Sequence, residues 1–182
     1  MDKGDGSAQG RTLVLGGARS GKSAFAETLA GAAGAVRYVA TSVPDPADRD
    51  FAERIAGHRE RRPAAWRVVE SVDPAGVLRA DPVAGATLID DIGTWLTARI
   101  DARQAWESPR GTITPECDEL VAAVADYARR LVIVSPEVGM GVIPATRSGR
   151  LFRDEIGTLN QRLAAVCDEA FLIVAGLPLR LK

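Results

Sequence analysis

The chain has 182 residues, 46% of them hydrophobic, which fits one domain with a substantial core. Its 23 basic and 24 acidic residues give a net charge of -1, so no overall field attracts nucleic acid or an anionic membrane. No apolar run is long enough to cross a bilayer, and we expect a soluble, cytoplasmic protein without membrane insertion. Cys117, Cys167 and the single histidine have no spacing typical of a zinc site or a disulfide framework.

Strands and helices are predicted to alternate along the chain. Strands are predicted over residues 12–15, 36–40, 66–70, 86–89 and 131–134, and helices over 23–33, 45–61, 73–80, 93–106, 114–130 and 147–166. Residues 170–175 and 177–181 are predicted to form an edge hairpin. This order favours a three-layer α/β fold, a mostly parallel sheet with helices on both faces. Residues 1–10, polar and rich in glycine, are expected to be a disordered N-terminal extension.

Two segments are predicted to be loops. Residues 107–113 contain proline and glycine and are expected to form a mobile excursion. Residues 137–144 are too rich in glycine for a regular element and too apolar for an ordinary surface loop, so we expect them to pack against something. Glu137, together with the arginines of the last long helix, either lines a site for an acceptor or is solvated, and the solvated interpretation is preferred. The three tryptophans are expected to be core or interface residues.

The strongest motif is an octet between the first strand and the first helix. Its residues are Gly16, Gly17, Ala18, Arg19, Ser20, Gly21, Lys22 and Ser23, which match G-x-x-x-x-G-K-[ST] at every position. In such a loop, backbone N–H groups converge on a phosphate and the following helix adds its positive dipole end. Lys22 is predicted to reach the β- and γ-phosphates, and Ser23 to bind Mg²⁺ through its hydroxyl. An ordinary turn has no need of lysine and serine there, so the octet predicts nucleotide binding.

Polar residues also follow two of the predicted strands. Thr41 and Ser42 come after strand 36–40, at the edge where open α/β sheets bind their ligands. Asp90 ends an apolar strand, as does the acid that organises Mg²⁺ near a phosphate loop. From these residues alone, the alternative that Asp90 or Asp91 only caps the next helix is equally well supported. The presence of the octet favours the metal role for Asp90.

The only histidine, His58, lies in a basic stretch. On a helix, Arg54 precedes it by four residues, and Arg61 and Arg62 follow it by three and four. Neighbouring positive charge disfavours protonation and leaves a neutral imidazole available as a nucleophile. The arginines are also suited to clamp a polyphosphate. From these residues alone, a solvated, charge-rich helix with an incidental histidine is the preferred interpretation.

Taken together, the motifs resemble the bifunctional adenosylcobinamide kinase / adenosylcobinamide-phosphate guanylyltransferase family of cobalamin biosynthesis. They occur in order between residues 11 and 182, and they are the octet 16–23, residues 38–42, Arg54-Ile55, His58-Arg59, Arg62-Pro63, Trp66 with Glu70, Asp90 with Trp95, residues 137–144, Phe152-Arg153-Asp154 and Asn160-Gln161. The chain departs from the usual family pattern in three places. Pro136 stands where an asparagine is common, Asp91-Ile92-Gly93 replaces a frequent Cys-Leu-Thr, and residues 43–53 are rich in Asp and Pro.

The resemblance implies a P-loop fold, one nucleotide-binding catalytic domain over residues 11–182, and a homotrimer. It also implies phosphorylation of adenosylcobinamide by ATP or GTP, followed by transfer of GMP from GTP to adenosylcobinamide phosphate through a guanylylated histidine, with Mg²⁺ as cofactor. His58 and Lys22 are then the catalytic residues, and Ser23 and Asp90 hold the metal. The implied nucleotide contacts are the octet, Thr41, Ser42, Val43, Arg59, Glu60, Arg61, Arg62, Glu70 and Asp90. The alternatives are a P-loop kinase without a covalent intermediate and a non-catalytic nucleotide-binding switch.

Overall fold

A computed structural model describes residues 10–42, 63–80 and 85–182. Within these ranges the elements are β1 (Arg11–Gly16), α1 (Lys22–Gly31), β2 (Val36–Ala40), β3 (Arg67–Glu70), α2 (Pro74–Arg79), β4 (Ala86–Asp90), α3 (Ile92–Ala102), α4 (Thr114–Asp126), β5 (Arg130–Pro136), α5 (Arg147–Val166), β6 (Glu169–Val174) and β7 (Leu177–Arg180). The predictions for the N-terminal extension up to residue 9 and for the helix over 45–61 lie outside the described residues.

The strands form one sheet in the order β3-β2-β4-β5-β1-β6-β7. Every neighbouring pair is parallel except β6 and β7, which run antiparallel at the edge. The predicted mostly parallel sheet and its C-terminal edge hairpin are therefore confirmed. Because parallel strands share a direction, the carboxyl ends of β1, β2 and β4 all reach the same edge of the sheet.

Helices cover both faces of the sheet, as the alternation of elements predicted. Successive strand residues point to opposite faces. On one face Val14 and Leu88 pack with Ala26 and Ala30 of α1. On the other face a larger cluster buries strand residues against the remaining helices; it includes Leu13, Ile89, Ile133, Leu96, Leu120 and Ile156. Because both faces of the strands are buried, the strands read as continuous apolar runs instead of alternating ones.

Two helices end earlier than predicted. Helix α3 stops at Ala102 because the backbone turns at Gln104, whose φ is 52°. Helix α4 stops at Asp126 because Tyr127 adopts an extended backbone, with ψ of 115°. The Tyr127 ring is 7% exposed, and its hydroxyl lies 2.8 Å from Thr87 Oγ1 on β4. The chain can then begin β5 at Arg130, four residues beyond the helix end.

The segment 107–113 is loop-like, as predicted, and it is bound to α5 by a hydrogen bond and an ion pair. The Gly111 N–H donates to Glu155 Oε1 at 2.6 Å, and Arg110 forms an ion pair with Asp154 at 2.6 Å. Ile113 is 2% exposed and belongs to the core. The segment is thus an anchored connection, contrary to the expected mobile excursion.

The loop over 137–144 differs from expectation. Met140, Val142 and Ile143 are 76%, 95% and 67% exposed, so the described part of the chain does not cover them. Among the described helices, none combines the length and the apolar character that a membrane span requires.

Candidate nucleotide-binding site

The phosphate loop, residues 16–23, joins the carboxyl end of β1 to the first turn of α1. Gly21 is the N-cap of α1 and has a φ of 95°, a conformation that L side chains rarely adopt. A β-carbon at Gly21 would also lie 3.2 Å from the α-carbon of Gly176. Backbone conformation and packing therefore both require glycine here. The loop opens with a hydrogen bond from Ser20 N–H to the Gly17 carbonyl at 3.3 Å.

The turn of the edge hairpin braces this loop. The Gly176 N–H donates to the Ser20 carbonyl at 2.8 Å. Both turn residues have positive φ, 51° at Ala175 and 80° at Gly176. The C-terminal hairpin thus contributes a backbone contact to the nucleotide-binding region. Sequence reasoning missed this role, because the only local signal was a glycine between two short apolar runs.

Lys22 and Ser20 are both held within the loop. Lys22 is 9% exposed, and its Nζ donates to the Gly17 carbonyl at 3.5 Å, so its ammonium group lies inside the loop. Ser20 Oγ is buried and has no hydrogen-bond partner in the part of the chain that the structure describes. A buried orphan hydroxyl is costly unless something pairs with it. These groups fit a loop built to enclose an anion.

Asp90, at the end of β4, faces the phosphate loop. Ser23 Oγ donates to Asp90 Oδ1 at 3.4 Å, and the Tyr38 hydroxyl donates to Asp90 Oδ2 at 2.5 Å. The adjacent Asp91 has a different task, because its Oδ1 accepts from Thr94 N at 2.8 Å as the N-cap of α3. The capping role that the sequence offered to either aspartate is therefore taken by Asp91, while Asp90 faces the loop serine. Tyr38 was not singled out from the sequence.

The same edge of the sheet carries three further predicted nucleotide contacts, Thr41, Ser42 and Glu70. Ala40, the last residue of β2, is in register with Glu70 on one side and with Asp90 on the other. Thr41 follows Ala40 and is fully buried, and its hydroxyl donates to the Asp91 carbonyl at 2.6 Å. Thr41 thus holds the β2 and β4 ends together, while Glu70 is exposed at the edge. Ser42, which is half-buried, follows Thr41.

The remaining predicted residues of this site lie outside the described residues. They are Val43, His58, Arg59, Glu60, Arg61 and Arg62. Among the residues that are described, no group of three or more His, Cys, Asp or Glu side chains gathers as a metal cluster.

Beside the phosphate loop, the end of β5 shows how two family departures fit together. A β-carbon at Gly93 would lie 2.6 Å from Pro136 Cγ, so a larger residue at 93 is incompatible with this proline position. Glu137 follows Pro136 and donates its N–H to the Gly16 carbonyl at 3.0 Å. Asn160 from α5 supports the same point by donating to the Pro136 carbonyl at 3.0 Å. Gly93 and Pro136 thus pack directly against each other beside the start of the phosphate loop.

The parallel sheet, the glycine-rich loop between β1 and α1, and a carboxylate on a nearby strand facing the loop serine define a P-loop nucleotide-binding protein. Comparison with known families and proteins is more specific. The chain belongs to the cobinamide kinase / cobinamide phosphate guanyltransferase family, whose model matches residues 12–181.

Similar proteins support this assignment. The bifunctional adenosylcobalamin biosynthesis protein CobP of Pseudomonas aeruginosa is 40% identical over 175 residues, covering 94% of this chain and 97% of that protein. The bifunctional adenosylcobalamin biosynthesis proteins CobU of Salmonella typhimurium and Escherichia coli are 39% and 38% identical, each over 93% of this chain and 98% of the relative. A solved structure of a prototypical ATPase from the type III secretion system of pathogenic bacteria has a TM-score of 0.54 at 12% identity. That match covers 90% of this chain but only 50% of the ATPase chain, and it supports the fold alone.

Proposed function

We propose that this protein carries out two successive transfers to a corrinoid. It phosphorylates adenosylcobinamide with ATP or GTP, and then transfers GMP from GTP to adenosylcobinamide phosphate. Membership of the family supports both reactions. The observation that carries the proposal is the contact between the phosphate loop and β4, where Ser23 Oγ lies 3.4 Å from Asp90 Oδ1. A hydroxyl and a carboxylate placed together in this way are suited to bind the metal ion of a metal-bound triphosphate.

In the kinase reaction, the terminal hydroxyl oxygen of adenosylcobinamide attacks the γ-phosphorus. The bond from that phosphorus to the β–γ bridging oxygen breaks, a nucleoside diphosphate leaves, and the hydroxyl proton is released. The loop N–H groups and Lys22 hold the triphosphate and stabilise the charge on its oxygens as the γ-phosphoryl group moves. Positioning and electrostatics account for most of the catalysis in phosphoryl transfer.

In the guanylyl transfer, an imidazole nitrogen of His58 attacks the α-phosphorus of GTP, and pyrophosphate leaves. A phosphate oxygen of adenosylcobinamide phosphate then attacks the same phosphorus, the P–N bond breaks, and adenosylcobinamide-GDP is released. A covalent intermediate divides a difficult transfer between two anions into two displacements at one nucleophile. Four arginines in the sequence around His58 favour its neutral, nucleophilic form; they are Arg54, Arg59, Arg61 and Arg62.

Mg²⁺ is proposed as the cofactor. Ser23 and Asp90 would supply the hydroxyl and carboxylate oxygens that this hard cation prefers, and substrate phosphates and water would supply the others. When bound, the ion neutralises charge on the β- and γ-phosphates. Such a site needs only one carboxylate, which agrees with the donor set around Asp90. The Tyr38 hydroxyl donates to the other oxygen of that carboxylate and helps to orient it.

Labelling with GTP tests the covalent step. Protein incubated with α-³²P-GTP and Mg²⁺ is expected to retain label that is stable to base and labile to acid, whereas γ-³²P-GTP leaves no such label. His58→Ala is expected to lose the adduct. Release of the label on addition of adenosylcobinamide phosphate identifies a competent intermediate. Absence of the adduct, or an adduct that survives in His58→Ala, would contradict the proposal and favour a simple kinase.

The kinase step is tested at Lys22. Lys22→Ala is expected to lower the rate of adenosylcobinamide phosphorylation by about 100-fold or more, since it removes a charge that stabilises the transition state. Lys22→Arg, which keeps the charge in a different shape, serves as the control. A protein that makes no product from adenosylcobinamide in either reaction would be a nucleotide-binding switch.

A homotrimer is proposed as the assembly, following the family resemblance of the sequence. Sedimentation equilibrium at several protein concentrations measures the mass directly. A mass of one chain or two chains would contradict the proposal.

A further inference from the structure

A cleft of about 610 Å³ opens beside helix α3 and the first turns of α5. Its lining combines two aromatic rings, three hydroxyls and one carboxylate: Thr97, Trp106, Glu107, Thr146, Ser148 and Phe152. None of these residues belongs to the phosphate loop. Clefts of this volume, mostly apolar with a few polar groups, are typical ligand sites.

The cleft is joined to the phosphate loop by a short series of contacts. Thr97 Oγ1 donates to the Gly93 carbonyl at 3.0 Å, one helical turn away. Gly93 packs against Pro136 so closely that a β-carbon would lie 2.6 Å from the ring. The next residue, Glu137, bonds through its N–H to the Gly16 carbonyl, where the phosphate loop begins. The cleft and the phosphate loop are therefore linked through residues that pack together just beyond β4 and at the end of β5.

The stretch between the phosphate loop and the cleft is apolar and exposed. It contains Met140, Val142 and Ile143, which are 76%, 95% and 67% exposed. We call these three residues the apolar loop. Large apolar side chains that lie close together in the sequence and are exposed to solvent are typical of a surface that another molecule covers. Along the chain the apolar loop leads directly to the lining of the cleft, because Thr146, the N-cap of α5, lies three residues beyond Ile143.

The charges around the cleft are already paired within the chain. Arg147 donates to the Trp106 carbonyl at 2.7 Å and forms an ion pair with Glu107 at 3.5 Å. Arg150 donates to the Pro144 and Ala145 carbonyls at 2.9 and 2.8 Å, which fixes the end of the apolar loop. Because these two guanidinium groups already bond to groups of the chain, we expect the cleft to bind amides and apolar groups, in contrast to the phosphate loop, which binds an anion.

We propose that the cleft and the apolar loop bind the corrinoid acceptor. The apolar loop contacts the methyl-rich face of the macrocycle. The cleft hydroxyls donate to and accept from its peripheral amides, and the Glu107 carboxylate accepts from their N–H groups. The acceptor is larger than the cleft, so it extends over the apolar loop towards the triphosphate, with its terminal hydroxyl directed to the phosphate loop. This inference rests on the proposed function for the identity of the acceptor.

The test measures cobinamide binding and nucleotide binding separately, on the full-length protein. Val142→Ser combined with Ile143→Ser removes apolar surface from the apolar loop, and Thr97→Phe fills the cleft. Each change is expected to weaken cobinamide binding about tenfold or more in equilibrium dialysis, read from the corrinoid's own absorbance. The affinity for a fluorescent GTP analogue is expected to stay within about twofold of wild type.

A matched control removes equal apolar surface elsewhere. Leu179→Ser combined with Leu181→Ser alters two residues that are 57% and 56% exposed near the C-terminus. Unchanged cobinamide affinity in both test variants would overturn the proposal, as would an equal loss in the control. A smaller particle mass for the apolar-loop variant with unchanged cobinamide affinity would identify the loop as an interface between copies, which also overturns it.

The same measurements separate this inference from the proposed function. Wild-type protein that binds cobinamide through these residues but transfers neither phosphate nor GMP would contradict the function and leave the binding surface standing. Wild-type protein that binds no cobinamide would overturn the binding surface, whatever reaction it catalyses.

Discussion

Replacing Tyr38 with phenylalanine tests whether Asp90 is a held metal ligand. The Tyr38 hydroxyl donates to Asp90 Oδ2 at 2.5 Å, and the side chain is 1% exposed. Its ring stacks on Trp66 with centroids 6.4 Å apart, a contact that phenylalanine keeps. The substitution therefore removes the hydroxyl that bonds to Asp90 and keeps the ring that stacks on Trp66.

The expected cost has two parts. A buried hydrogen bond to a charged group contributes about 1.5–3 kcal/mol to stability. For a chain of this length that lowers Tm by roughly 3–12 °C. Loss of a group that orients a metal ligand typically weakens metal binding or activity by about 10–100-fold. We therefore expect Tyr38→Phe to raise the Mg²⁺ concentration needed for half-maximal phosphorylation of adenosylcobinamide by about that factor.

Tyr127→Phe is the matched control. Tyr127 is also buried, and its hydroxyl lies 2.8 Å from Thr87 Oγ1 and accepts from Arg37 at 3.4 Å. These partners lie near the amino ends of β2 and β4, at the opposite edge of the sheet from Asp90. The control is expected to lose stability with no change in Mg²⁺ dependence. The same Mg²⁺ dependence in both variants and wild type would refute the view that Tyr38 holds Asp90 for the metal.

Three further predictions concern the phosphate loop, a surface ion pair and the thiols. Gly21→Ala is expected to abolish nucleotide binding measured by calorimetry, because its β-carbon would contact Gly176. Gly176→Ala has open space around its β-carbon but a φ of 80°, so we expect it to keep nucleotide binding and to lose about 1–2 kcal/mol of stability. A hydrogen bond from the Arg11 guanidinium lowers the pKa of Asp168 in the folded protein. The stabilisation of the folded state by this pair is therefore fully present above the unfolded pKa of about 3.9, and it is lost as the pH falls through the lower folded pKa. Because this carboxylate is half exposed, Asp168→Asn is expected to cost no more than about 1 kcal/mol in urea unfolding at pH 7, and the difference from wild type to vanish at the lowest pH; a difference that grows on acidification contradicts this. Burial raises the pKa of Cys117 and Cys167 to about 12, so neither thiol is expected to react with a disulfide reagent at pH 8 until urea unfolds the chain, and rapid labelling of native protein would show the opposite.

The fold follows largely from local signals in the sequence. The observed bounds of β2 and α5 match the predicted ones, because each has an apolar pattern with a clear start and stop. For α5 the start is Thr146, whose hydroxyl accepts from Gly149 N at 3.1 Å. The end of α4 was not predictable in this way. It depends on Tyr127 reaching a threonine on β4, a contact between residues 40 positions apart.

The site was predictable only in part. The octet is contiguous, so its spacing alone indicated a phosphate loop, and the structure shows it between β1 and α1. The roles of Asp90 and Asp91 could not be separated by composition, because both are aspartates at a strand end. They differ by which atoms of other elements they meet: Ser23 and Tyr38 for the first, the α3 backbone for the second. Such contacts depend on the folded sheet and leave no local pattern.

Gly93 and Pro136, two departures from the family pattern, pack against each other, and we expect the two changes to compensate. Gly93→Thr alone forces a side chain to within 2.6 Å of the Pro136 ring, and overpacking of this kind costs typically about 1–3 kcal/mol. Adding Pro136→Asn removes the ring, so the double variant is expected to recover about 1 kcal/mol or more of that loss as a coupling energy. Urea unfolding of the wild type, both single variants and the double variant measures the cycle. Additive losses would show that the two positions changed independently. Coupling would show that the chain rebuilt the β5 end while keeping the Glu137 to Gly16 bond that fixes the phosphate loop.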